Sequence, residues 1–424
     1  MLRRRRFGLG SSGPSFLTRQ GAFALLFVAA TPLREFGPWA AVWTTPSILL
    51  ASILIAWGAE SAQFFVAQGF ALAILAWMQT LPEFAVEAVL AWHQQRTLLL
   101  ANLTGALRLL IGIGWPLIYA IAAGVHRRRE GKALGTIRLD SQHSVEVAGL
   151  TLPLLYVLFI WWKASLTLWD AVVLVILYSA YLIVLTKLPP ESHEGIDDLE
   201  TVPRTIVRAP RLWRIAAIGG CFVIGGLLMR FTAEPFLGSL IALATVVGMP
   251  RFVMIQWLAP IVSEFPELAS TSYFARQVGE APVALMNIAS SNINQWTLLV
   301  AMLPVVLSFG AGAPSAIAFD AEQQLELLLT IGQSLVALVF LYAMELRWWQ
   351  ALGLFIAFVL QFVFSALSGQ AGLIGYLGIH IKWWIIVIYF GYTAGAMAWL
   401  LIRWQRPPAV RALLATWQKH VQSV

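Results

Sequence analysis

Two stretches of this sequence place a Pro-Glu pair among apolar residues: MQTLPEFAVEAVLAW, residues 78–92, and VSEFPELASTSYFA, residues 262–275. The residue numbers of Glu83 and Glu267 differ by 184 (267 − 83). A charged side chain deep in a bilayer costs several kcal/mol unless it is paired, hydrated or protonated, roughly +2.5 to +3.5 kcal/mol on insertion scales. Both glutamates are therefore candidate functional residues.

A second match follows each Pro-Glu stretch. LLANLTGALRLL holds Asn102 and Gly105, and LMNIASSNINQW holds Asn287 and Ser290. The residue numbers of the two asparagines differ by 185 (287 − 102), nearly the offset of the Pro-Glu pairs. Two ordered matches at almost one offset indicate an internal repeat, which is typical of membrane transporters.

The composition predicts an all-α integral membrane protein. Of the 424 residues, 59% are hydrophobic and 12% are charged, whereas an average soluble domain has about 25% charged residues. A spanning helix needs about 20 apolar residues, which gives about twelve spans, with a range of ten to twelve. The predicted spans are roughly 18–34, 45–66, 68–92, 97–124, 145–163, 167–187, 213–240, 251–275, 281–309, 322–346, 349–368 and 376–402.

The charged loops orient these spans. With Arg3–Arg6 in the cytoplasm, twelve spans also place the cations of 127–132, 204–214 and the C-terminal tail inside. The outside keeps scattered cations, among them Lys382. This distribution follows the positive-inside rule, and it predicts that both termini are cytoplasmic. The two Pro-Glu spans then run in opposite directions, so the repeats are inverted, an architecture that supports alternating access.

The predicted organisation has two five-helix halves and one extra span at each end. Its segments are a basic cytoplasmic N-terminus with an extra span (1–44), the first half (45–187), a cytoplasmic linker (188–212), the second half (213–368), and a C-terminal span with a basic tail (369–424).

The same features exclude several classes of protein. The net charge of +7 comes from clusters between apolar runs, so it follows membrane topology and does not indicate nucleic-acid binding. One cysteine, Cys221, excludes an intramolecular disulfide framework. No Ser/His/Asp set, HExxH motif or phosphate loop indicates an enzyme, and no cofactor is expected.

The expected partners are the lipid bilayer and inorganic cations, and compact loops favour a bacterial plasma membrane. The pattern specifies no oligomeric state.

Helical spacing collects oxygen-bearing side chains around the two acids. Gln79, Glu83 and Glu87 share one stripe of a helix. A second stripe holds Ser263, Glu264, Glu267, Ser270 and Thr271. Oxygen ligands suit hard cations, and neither stripe offers the His or Cys side chains that soft metals prefer. Pro82 and Pro266 lack an amide hydrogen, which frees a backbone carbonyl one turn earlier to bind a cation or water, or simply kinks the helix.

Pro-Glu on one helix followed by an Asn- and Gly-containing motif on the next, in both halves, resembles the alpha-repeats of the sodium/calcium exchanger superfamily. The usual form is close to GTSLPE followed by GNxxGSNxxN. The resemblance implies a ten-helix core, alternating access, and gating helices at 45–66 and 213–240. It also implies a Ca²⁺ site formed by Glu83 and Glu267 at mid-membrane.

Further positions follow from the same resemblance. The Thr-Ser pair of the motif falls on Gln79 and Thr80 in the first repeat and on Ser263 and Glu264 in the second. The Gly-Ser-Asn serine falls on Ser291, followed by Asn292, and the last motif position falls on Gln295. These residues would supply further oxygens to the cation.

The first repeat departs from the family pattern. Ala106 replaces the motif serine and Leu110 the terminal asparagine, so two sodium-ligand positions lack oxygen. Arg108 lies two residues from Ala106, about 200° round the helix, and should point away from the ligand face. One hypothesis is an antiporter that exchanges Ca²⁺ for Na⁺ or H⁺. The other is a non-transporting protein of the same fold, with Arg108 as a tethered cation paired with Glu83 or Glu267.

Overall fold

The computed structural model describes residues 37–62, 64–65, 80–187, 199, 201–277, 279–368, 372–402 and 406–420. The predicted first span 18–34, the Arg3–Arg6 cluster, Gln79 and the first part of the predicted span 68–92 lie outside the described residues.

The first half of the chain is helical. A short 3₁₀ turn, Pro38–Ala40, leads into the first helix. The helices are α1 (Ala41–Ala62), α2 (Leu81–Trp92), α3 (Arg96–Leu109), α4 (Trp115–Glu130), α5 (Ser144–Trp162) and α6 (Leu168–Leu185). A π-helical segment, Leu110–Gly114, joins α3 to α4 without a break in the helical path.

The second half repeats this order after a short helix, α7 (Thr201–Arg208). Its helices are α8 (Arg211–Val247), α9 (Arg251–Ser263), α10 (Phe265–Ala275), α11 (Ala281–Asn294), α12 (Val300–Ala311), α13 (Ala321–Tyr342) and α14 (Trp348–Ser368). A second π-helical segment, Gln295–Leu299, joins α11 to α12. Two more helices follow, α15 (Leu373–Ile402) and α16 (Pro408–His420).

The predicted all-α membrane fold is confirmed. Within the described ranges, nine helical stretches are long and apolar enough to cross a bilayer. The predicted span 251–275 is a broken helix made of α9 and α10, which meet at Glu264. The predicted linker 188–212 contains α7 and the first two residues of α8.

Two small strand pairs identify the loops that share a face of the bundle. β1 (Thr136–Arg138) pairs with β4 (Glu345–Arg347), and β2 (Ser165–Leu166) pairs with β3 (Ile317–Ala318), both antiparallel. The predicted threading places the loops of β1 and β4 inside and the loops of β2 and β3 outside. Each strand pair therefore joins two loops on the same predicted side of the membrane.

The internal repeat is visible in the helix boundaries. The first and last residues of α3 and α11 are both related by an offset of 185 (281 − 96 and 294 − 109), and the two π-helical segments keep the same offset (295 − 110). A π-helical segment shifts the side chains that follow it round the helix axis, and such segments are frequent at functional sites. Later in each half the offset falls to 180, as between the first residues of α6 and α14 (348 − 168).

Close helix crossings depend on glycine at two places. A Cβ atom on Gly105 of α3 would lie 1.8 Å from the backbone oxygen of Gln256 on α9, so only glycine permits this approach. The predicted gating helices α1 and α8 also pack together. A Cβ atom on Gly225 would lie 3.0 Å from the backbone oxygen of Ala51.

The prediction that Lys382 is an outside cation is wrong. Lys382, which the loop assignment placed outside, lies within α15 and is 2% exposed. Its ammonium group donates a hydrogen bond to Glu326 of α13 at 2.7 Å. The assignment failed because a lysine near the start of an apolar run resembles a flanking loop cation, whereas this helix begins more than two turns before it, at Leu373.

Candidate functional site: buried carboxylates from both repeats

Two short helices begin at the candidate site, one from each repeat. Pro82 lies at the start of α2 and Pro266 at the start of α10, where the missing amide hydrogen of proline costs nothing. Glu83 and Glu267 therefore fall in the first turn of their helices. The positive end of a helix dipole favours negative charge at this position. Both side chains are buried, at 0% and 1% exposed.

Gln295 joins carboxylates from the two halves of the chain. Its amide nitrogen donates to both oxygens of Glu83 at 2.8 Å. The same nitrogen lies 2.7 Å from Oε1 of Glu264, at the break between α9 and α10. The π-helical segment begins at Gln295. Two acids that are distant in the sequence, one from each repeat, thus share one amide group.

Glu267 extends this group of acids. Its carboxyl group lies beside the carboxyl group of Glu264 and the side chain of Ser291. Neither of its oxygens has a well-formed hydrogen bond. The other oxygen of Glu264, the amide oxygen of Gln295 and both polar atoms of the Asn292 side chain are also buried without a hydrogen bond. Buried polar atoms normally have partners, so a cluster of such oxygen and nitrogen atoms marks a candidate place for an ion or water.

Thr80 and Ser263 flank the acids. Thr80 is fully buried and accepts a hydrogen bond from the side chain of Asn294, the neighbour of Gln295. The Ser263 hydroxyl is also fully buried and is 3.5 Å from the backbone oxygen of Pro260 in its own helix. Thr80 precedes the start of α2 and Ser263 ends α9, so both hydroxyls lie at the helix ends that carry the acids.

The asparagines of the second motif have different environments. Asn102 donates to Glu87 at 3.0 Å, and both side chains are fully buried. Asn287, its counterpart in the second repeat, is half-buried and its amide nitrogen has no hydrogen bond. Asn102 thus holds Glu87, the second acid of the first stripe, one turn from Glu83.

Carboxylates alone do not form a metal cage here. Within the described ranges, no group of three or more His, Cys, Asp or Glu side chains is arranged to hold a metal ion. A cation at this site would need amide, hydroxyl or backbone oxygens in addition to carboxylates. Such mixed oxygen sets suit hard cations of the Ca²⁺ type.

Arg108 does not pair with Glu83 or Glu267, which removes the basis of the non-transporting hypothesis. Its Nη2 atom lies 2.7 Å from Glu326 Oε2, and its Nε atom donates to the backbone oxygen of Thr104. The guanidinium carbon lies 5.2 Å from the ring centroid of Trp257. The predicted direction, away from the ligand face, agrees with this placement.

Sequence reasoning missed three residues that the structure makes important. Asn294 holds Thr80, Glu326 holds Arg108, and Gln256 donates to Glu326 at 2.9 Å. Glu326 had a detectable signal, because it is an acid within the predicted span 322–346. Asn294 and Gln256 had none, since uncharged amides in apolar helices are common in polar networks between helices.

Comparison with known structures shows the same architecture. The crystal structure of the H⁺/Ca²⁺ exchanger CAX superposes with a TM-score of 0.79 and 28% sequence identity, over 95% of this chain and 94% of that chain. The structure of native YfkE, at 11% identity and a TM-score of 0.57, covers 83% of this chain and 98% of that one, and shows the fold alone. No curated protein matches the chain significantly.

The family described as "Sodium/calcium exchanger protein" matches residues 37–187 and 218–367, which correspond to the two halves of the fold. These matches cover most of the chain and both acid-bearing regions, so this multi-pass membrane protein belongs to the sodium/calcium exchanger family.

Proposed function

We propose that the chain is a secondary antiporter that exchanges Ca²⁺ for protons by alternating access. The observation that carries this proposal is the contact of one amide, Gln295, with Glu83 of the first repeat and Glu264 of the second. A buried group of acids drawn from inverted repeats is the arrangement expected for a site that can open to either side of a membrane.

In the proposed cycle Glu83 and Glu267 are the main Ca²⁺ ligands, and Glu264 adds a carboxylate oxygen. Gln295, Ser291, Thr80 and Ser263 supply neutral oxygens, as does Gln79, which lies outside the described residues. In the structure the Gln295 amide nitrogen faces the carboxylates. Rotation of that amide would present its oxygen, so one side chain can bridge the acids without Ca²⁺ and bind the ion when it enters.

Protons are the proposed counter-ion because the first repeat has lost oxygen ligands. Ala106 and Leu110 stand where Ser291 and Gln295 stand in the second repeat (291 − 106 and 295 − 110 both give 185). An alanine and a leucine cannot bind Na⁺, whereas buried carboxylates can exchange Ca²⁺ for protons at the same oxygens. The similarity to the H⁺/Ca²⁺ exchanger CAX supports the same choice.

The fold suggests how access alternates. α1 and α8, the predicted gating helices, pack tightly against each other, and the acid-bearing helices lie beside them. Sliding of this pair against the other helices would expose the carboxylates first to one face and then to the other. We propose a bacterial plasma membrane, with the face formed by β1 and β4 on the cytoplasmic side.

A flux assay tests the proposal. The purified chain is reconstituted into vesicles, and uptake of radioactive Ca²⁺ is measured with an imposed proton gradient, a sodium gradient, or none. We expect uptake with the proton gradient and its loss in Glu83→Gln and Glu267→Gln. Glu130→Gln, an exposed acid at the end of α4, serves as the matched control. Uptake that requires sodium would overturn proton coupling, and no uptake under either gradient would contradict antiport.

A further inference from the structure

A second group of charged side chains is buried behind the candidate site. Arg108 of α3, Glu326 of α13 and Lys382 of α15 are 0%, 1% and 2% exposed. Glu326 lies 2.7 Å from Arg108 through one oxygen and 2.7 Å from Lys382 through the other. We refer to these three residues as the buried charge cluster. Charges within a membrane protein are costly and are rarely kept without a function.

The buried charge cluster is not electrically neutral. Its two cations face one carboxylate, and Gln256, which also contacts Glu326, is uncharged. Glu322 lies one turn earlier on α13 and also interacts with Lys382, but it is exposed, so water and salt screen it. The three buried members together thus carry one more positive than negative charge, in a medium that screens charge poorly.

One cation of the buried charge cluster, Arg108, lies on α3, a helix next to the acids. Arg108 is two residues from Ala106 and two from Leu110, the counterparts of Ser291 and Gln295. Its neighbour Leu109 packs in one apolar cluster with Leu268, which follows Glu267. On the same helix, Asn102 binds Glu87, one turn from Glu83.

The second repeat has no equivalent of this charge. The position that corresponds to Arg108 is Ile293 (108 + 185), which is fully buried in the apolar core. Lys382 belongs to α15, which lies beyond the residues matched by the family, 37–187 and 218–367. The buried charge cluster is thus an asymmetric addition to a symmetric site.

We propose that the buried charge cluster sets the cation affinity of the carboxylate site by a fixed positive potential. This inference rests on the proposed function, since it concerns the same cation. The potential weakens Ca²⁺ binding and favours release, and it opposes a second bound cation in the first repeat. Because a protein interior screens charge weakly, with an effective dielectric constant of about 20, one unit of charge more or less in the cluster should change Ca²⁺ binding by about three- to tenfold.

The sign of each charge provides the test. The full-length protein in detergent is titrated with CaCl₂ by calorimetry, and folding is checked by thermal unfolding and gel filtration. Arg108→Gln and Lys382→Met each remove a positive charge and leave Glu326 with one cation. We expect both to bind Ca²⁺ about three- to tenfold more tightly. Glu326→Gln should weaken binding by a similar factor, and Arg108→Gln/Glu326→Gln should return it towards wild type.

Arg347→Gln is the matched control, because Arg347 is half-exposed and pairs with Glu345 at a loop. It should leave Ca²⁺ affinity unchanged. If Arg108→Gln does not fold, Lys382→Met and Glu326→Gln still carry opposite signs. Folded variants whose affinities are all reduced, or all unchanged, would overturn the inference while wild-type binding stands. A wild-type protein that binds no Ca²⁺ would overturn the proposed function, and this inference with it.

Discussion

Leu110 and Gln295 occupy the same position in the two repeats, since each is the first residue of a π-helical segment and their numbers differ by the repeat offset (295 − 110). Gln295 contacts Glu83 and Glu264, whereas Leu110 is buried in the apolar core. At this position the second repeat is therefore polar and the first apolar, although both repeats begin a π-helical segment there.

Gln295→Leu should make the second repeat resemble the first and weaken Ca²⁺ binding about tenfold or more. The variant removes the amide oxygen that is proposed as a Ca²⁺ ligand, and loss of a polar contact to a charged group costs about 1.5–3 kcal/mol. Calorimetric titration of the detergent-purified protein measures the change. Gln350→Leu is the control, since this buried amide contacts the backbone of Arg347 at the loop of β4. Equal effects of the two substitutions would contradict a specific role for Gln295.

Ca²⁺ binding should strengthen as the pH rises, because protons and Ca²⁺ compete for the same carboxylates. Binding should release protons, which calorimetry detects when it is repeated in buffers of different ionisation enthalpy. Glu264→Gln removes one of the three adjacent acids and should lower the number of protons released per Ca²⁺. The same number in wild type and Glu264→Gln would show that Glu264 takes no part in proton exchange.

Gly105→Ala should destabilise the protein by about 2 kcal/mol or more. Its Cβ atom would overlap the backbone oxygen of Gln256, which cannot move away as a flexible side chain could, and overpacking typically costs about 1–3 kcal/mol. Thermal unfolding in detergent measures the loss. Gly219→Ala, on α8 with open space round the added atom, is the control and should not lower stability. A stable Gly105→Ala protein would mean that α3 and α9 separate easily.

The strand pairs predict two disulfide cross-links on opposite faces. In a Cys221→Ser background, Ser165→Cys/Ala318→Cys and Thr136→Cys/Arg347→Cys place cysteines at directly paired positions. Both pairs should cross-link on oxidation. In intact cells, a membrane-impermeant thiol reagent should block only the first pair. Labelling of both pairs from one side would contradict the predicted threading.

Much of the fold and part of the site follow from the sequence alone. The apolar runs predict the helices, and the two Pro-Glu stretches predict the repeat, whose offset is preserved in α3 and α11. The helix break at Glu264 follows from Pro266. The cation-ligand roles of Glu83, Glu267, Gln295 and the residues around them stay predictions.

Other features could not be read from local patterns. Arg108 and Glu326 come from opposite halves of the chain, and Lys382 comes from a third helix. Side-chain spacing on one helix does not specify which neighbouring helix faces it. The π-helical segments add no distinct residue type, so the sequence carries no signal for the turn that brings Gln295 to the acids.

The helix that follows each π-helical segment differs in length between the halves. α4 has 16 residues and α12 has 12, and this accounts for most of the change in repeat offset from 185 to 180. The extra turn of α4 carries Arg127, Arg128 and Arg129. In the predicted threading this added turn carries the cations that hold the end of α4 on the cytoplasmic side, whereas the shorter α12 ends on the opposite face without them.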